Sequence, residues 1–142
     1  MEDAAMISLE ARELILHHAY SHPCSAEHPK SATGFLGSLR PYRGNLDPAN
    51  FHEVMESLRV LAPSLETQSV DRELVGAILA ITHLARMWGV DADGMLRRND
   101  LISDDDVTTL RGWVDTISWA TLMLLSGAGQ DEAFHEYRNR EA

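Results

Sequence analysis

The run from Leu74 to Trp88 limits what this chain can fold into more than any other segment, because only Thr82, His83 and Arg86 within it carry polar side chains. A helix that is apolar nearly all round belongs at the centre of a bundle or against another subunit. The run is shorter than the ~20 residues a membrane span requires, and so is the second most apolar window, Ile117 to Leu125. Both are expected to be helices that cross no membrane. The first begins around Ser69 to Asp71 and ends at Gly89, a natural C-cap.

The remaining segments supply helices that are less apolar. Ile7, Ala11, Leu14 and His18 recur at steps of four, three and four, which predicts a first helix from Asp3 to Tyr20, ended by Ser21, His22 and Pro23. Asp47 and Pro48 form a helix start, with the carboxylate accepting a first-turn amide and proline where no donor is needed. The helix they open has Phe51, Val54, Met55, Leu58, Leu61 and Ala62 on its apolar face and is expected to end at Pro63, leaving His52, Glu56 and Arg59 on the wet side. Ser103 followed by Asp104, Asp105 and Asp106 joins a capping hydroxyl to acids at the positive end of the helix dipole. That helix is expected to run to about Ser126 and stop at Gly127 and Gly129, with the stretch beyond, residues 128–142, a short helix or a tail.

Between the first two helices, Pro23 to Leu46 shows no sustained period and contains Pro29, Gly34, Gly37, Pro41 and Gly44. A connection of this length is uncommon in a compact domain, and its Phe35, Leu36, Leu39 and Tyr42 argue that it packs. The chain of 142 residues matches one domain, with 44% hydrophobic and 24% charged residues. The fold expected is therefore all-α, a bundle of four main helices with a long Gly/Pro-containing loop between the first two.

Charge removes one class of partner. Acidic residues outnumber basic ones by 22 to 12, and a net charge of -10 opposes a nucleic-acid backbone. The acidic N-terminus, Met1, Glu2 and Asp3, does not resemble a signal peptide. Cys24, the one cysteine, can form no intramolecular disulfide and is compatible with a reducing compartment, so the cytoplasm is the expected location.

Four groupings could carry chemistry. His17, His18, His22 and His28 surround Cys24, but their spacings match no zinc class and Pro23 breaks the helical pattern. Glu132-x-x-His135 is half of a di-iron motif without a second copy, and of the three helix histidines His18, His52 and His83, the last two lie off the apolar faces of their helices. Asp91, Asp93 and Gly94 lack the closing glutamate of a calcium loop. No metal or cofactor is expected, and no nucleophile elbow or triad context points to an enzyme. The fourth grouping is the loop from Gly34 to Gly44. Its Arg40 and Arg43 lie in a stretch without an acid between Glu27 and Asp47, a positive island on which a small anion would find planar guanidinium forks. Arg40, Tyr42, Arg43 and His52 are the ligand-binding candidates, against the alternative that the arginines pair with surplus acids.

Second apolar stripes decide the preferred reading. Gly76, Leu79, Ala80 and Met87, with His83 among them, lie away from the main stripe of their helix, as Gly112, Trp119 and Met123 do on the last one. These faces either complete the bundle or form an interface. Gly76, Leu79, His83, Met87, Gly112, Trp119 and Met123 are taken as an interface, giving a small acidic interaction or regulatory protein that forms a homodimer and has room for a protein partner. The alternative is a small-anion binding or enzymatic domain built on Arg40, Tyr42 and Arg43.

Overall fold

The computed structural model describes residues 6–20 and 30–141, and these are mostly helical, with no strand among them beyond an isolated bridge between Leu39 and Tyr42. Five long helices form: α1 (Ser8–His18), α3 (Pro48–Leu65), α4 (Arg72–Ala85), α6 (Asp104–Ser126) and α7 (Gln130–Glu141). Two single turns, α2 (Lys30–Thr33) and α5 (Met95–Arg98), punctuate the connections. The expected count of four main helices is thus corrected to five. The segment after Gly129 is a full helix whose Ala133, Phe134 and Tyr137 are buried.

Helix starts follow the local chemistry. The Asp47 carboxylate accepts the Ala49 N–H at 3.0 Å, that of Asp71 accepts the Leu74 N–H at 3.2 Å, and the Ser103 hydroxyl accepts the Asp106 N–H at 3.1 Å. Gly127 ends α6 in the left-handed region at φ 84°. Two expected ends move. Pro63 sits inside α3, which runs one further turn-fragment to Leu65. Gly89 is not a cap: α4 passes into a π-helical turn, Arg86–Val90, closed by Asp91 N–H donating to Arg86 O at 2.9 Å. Gly89 instead lies close against α6, where a Cβ would come 2.6 Å from the end of the Leu110 side chain.

Helix α1 lies against α3 and α4, and α6 lies against the same two, so these four enclose the core. Helix α7 packs on α6 and α3. Phe51 stacks on Trp113 with centroids 5.4 Å apart, and Tyr137 meets Phe51 edge-on at 5.6 Å, which ties α7 into the centre. The phase of α1 also differs from expectation. Ile7 is 58% exposed and Leu14 half-buried, while Ala11, Ile15, Leu16 and His18 are buried. Three consecutive apolar residues, Leu14, Ile15 and Leu16, leave the phase of that helix ambiguous in the sequence.

The segment from Arg72 to Arg98, 27 residues, is long and apolar enough by composition to cross a membrane. It is not one rod, being interrupted by the π turn and the Asp91 to Gly94 turn, and its Arg86 donates to Asp115 Oδ1 at 2.7 Å. Leu74, Ala77, Ile78, Ile81 and Ala85 are buried along one side only. The other side of α4 faces outward.

Candidate functional site

The loop candidates begin from an anchor that the sequence does not show. His18, fully buried, accepts the Phe35 N–H on Nδ1 at 2.9 Å and faces Glu53 Oε1 with Nε2 at 2.6 Å. A backbone amide only donates, so the ring proton must reside on Nε2 and point to Glu53. Both nitrogens are engaged, which leaves none to act as a general base. Leu36 N–H donates to His18 O, and Asn50 Nδ2 donates to Thr33 O, so the loop is held on both sides while Phe35, Leu36 and Leu39 enter the core.

From that anchor the four ligand candidates diverge. Tyr42, half-buried, donates to the Asp106 carboxylate. Burial, followed by that bond and the carboxylate's charge, raises the phenol well above its ordinary pKa and keeps it protonated. Arg43 lines a shallow depression of about 160 Å³ with Thr33, Ser38 and Asp47. His52 approaches the Tyr137 hydroxyl at 2.9 Å, and that hydroxyl donates to Glu56 at 3.2 Å, so His52 belongs to the α3–α7 seam and not to the loop. Glu56 and Arg59 are drawn into the same seam, with the Arg59 guanidinium 5.4 Å above the Tyr137 ring. Arg40 alone borders a larger cleft, of about 490 Å³, lined by Ala19, Tyr20, Leu36, Gly37, Arg40, Leu84 and Trp88. Its guanidinium lies 5.3 Å from the centre of the Trp88 ring and has no ion-pair partner among the described residues.

The interface candidates separate into two groups. On α4, Gly76, Leu79, His83 and Met87 are all exposed, with Leu79 at 58% and Met87 at 44%. Ala80, Leu84 and Trp88, each half-buried, continue the patch towards the cleft. On α6, the second stripe meets α7 instead: a Cβ on Gly112 would lie 2.3 Å from Arg140 Nη2, Met123 packs on the core, and Trp119 Nε1 donates to Glu132 O at 3.2 Å. Trp119 keeps 37% exposure at the edge of that contact.

No family model, curated protein or solved structure matches this chain. Among the described residues no group of three or more His, Cys, Asp or Glu side chains is placed to hold a metal ion. His22, Cys24 and His28 lie outside the described residues, and with them the histidine grouping around Cys24. The cleft-lining Tyr20, Gly37, Leu84 and Trp88 were not legible as site residues. Arg40 and Trp88 are far apart in sequence, and Trp88 reads there as one more apolar residue of a helix.

Proposed function

We propose that this chain is a small acidic helical interaction or regulatory protein that forms a homodimer through the outward face of α4. The observation that carries the reading is the exposure of Gly76, Leu79, His83 and Met87 along one side of a helix whose other side is core. Exposed apolar residues grouped on one face are more often a contact surface than a random scatter. Charge supports the same surface. Two copies of a chain with net charge -10 repel one another, and no acid occurs between Glu73 and Asp91 to add to that repulsion at this face.

Gly76 supports it from another side. An interior helical glycine costs up to ~1 kcal/mol relative to alanine, and a Cβ at Gly76 would meet nothing within 4 Å in the protomer. The fold of one chain gives no reason for it, whereas a second helix crossing there would be allowed closer. The test is the mass in solution of the wild type and of Leu79→Glu. Leu79 is exposed and makes no core contact, so the substitution is expected to leave the fold intact and produce a monomer. An equal mass for both proteins would remove α4 as the interface.

A further inference from the structure

We propose that the cleft between the end of α1, the loop before α3 and the π turn after α4 binds a small aromatic carboxylate, with Arg40 as the group that holds the carboxylate. Four observations combine. The volume, about 490 Å³, falls within the range of small-molecule sites. Ala19, Leu36 and Leu84 give it apolar lining, and Tyr20 and Trp88 add two aromatic rings. Arg40 is the one charged side chain among the described lining residues, and in a protein of net charge -10 its guanidinium has no carboxylate partner among the described residues. Finally, Tyr20 closes α1 in the left-handed region at φ 57°, a conformation that a helix end favours although it costs a bulky residue strain.

The chemistry selects the ligand. A guanidinium lying over Trp88 keeps its N–H edge free, and that planar edge matches a carboxylate through two parallel hydrogen bonds. Free phosphate is disfavoured: it needs several donors, and the remaining lining is mostly apolar. An aliphatic acid as short as acetate would leave the rings uncovered. An aromatic acid places its charge on Arg40 and its ring among Tyr20, Leu84 and Trp88. The cleft lies beside the exposed α4 face but is formed within one chain, so occupancy is counted per protomer whatever the oligomeric state.

Titration calorimetry of the full chain with indole-3-acetate, phenylacetate, phenylacetamide, acetate and inorganic phosphate tests this. Saturable binding of the two aromatic acids, one per chain, is expected, with the neutral amide, acetate and phosphate at least about tenfold weaker, as loss of a charge-assisted hydrogen bond or of the ring contact implies. Arg40→Gln should weaken the acids by about tenfold or more while Arg43→Gln, in a separate depression, leaves them unchanged. Leu84→Trp, which fills the cleft, should abolish binding without loss of circular-dichroism signal. Absence of saturation into the millimolar range, equal binding of amide and acid, or equal losses in the Arg40 and Arg43 variants would each overturn the proposal.

Discussion

Gly94 and Gly76 show how differently two glycines of similar sequence standing can act. A Cβ on Gly94 would lie 2.2 Å from Met87 O and 3.1 Å from Trp88 O, both backbone atoms of the turn that closes α4. Nothing flexible can yield there, so Gly94→Ala is expected to cost more than ~2 kcal/mol in chemical denaturation. Gly76→Ala should instead raise the stability of the protomer by up to ~1 kcal/mol while weakening association of two copies. A variant more stable at high dilution yet less associated is the expected pair of results; equal association would mean that Gly76 serves no interface. His18 belongs to the same scale. The sequence places it on the stripe of α1, but its partners Glu53 and the Phe35 amide stand 35 and 17 residues away, so neither its tautomer nor its hold on the loop can be read locally.

At the level of helices, the signals that survive folding are those confined to a few neighbouring residues. Asp47 and Ser103 cap the helices they precede, and Gly127 ends α6 with a positive φ. Ser103→Ala should lower stability by ~1 kcal/mol, seen as a shifted urea midpoint at unchanged slope. What escapes such local reading depends on neighbours distant in sequence. Helix α7 is polar at most positions and turns only Ala133, Phe134 and Tyr137 inward, too few to define a period, yet it covers the second stripe of α6 and brings His52 into a seam. The clasp between α1 and α4 is equally non-local. Arg12 reaches Asp71 at 2.5 Å and Glu73 at 2.6 Å. The bond to Arg12 holds the Asp71 carboxyl below its usual pKa, so its contribution is present above the unfolded value of about 3.9 and is lost as pH falls through the lower, folded one. These side chains are partly exposed, and Arg12→Ala should therefore cost only ~0.5 kcal/mol near neutrality. The difference from wild type should vanish on acidification through that window; a gap unchanged at acid pH would show that Arg12 acts through packing.

For the whole molecule, the helical class was legible because hydrophobic periodicity and turn chemistry are written in short stretches, and the apolar Phe35, Leu36 and Leu39 are buried. The convergence of side chains was not. Arg40, Tyr42, Arg43 and His52 look like one group in a sequence window and occupy four different settings once the loop is pinned to His18 and α7 closes over α3. The acid-free side of α4 leaves Leu79 and Met87 exposed on one face of a helix whose other side is core. Light scattering across a dilution series of the wild-type chain tests its role as an interface most directly. Self-association through α4 predicts about twice the monomer mass of 15.8 kDa at micromolar concentration, falling towards the monomer as the chain is diluted. A mass of one chain across the whole series would contradict it.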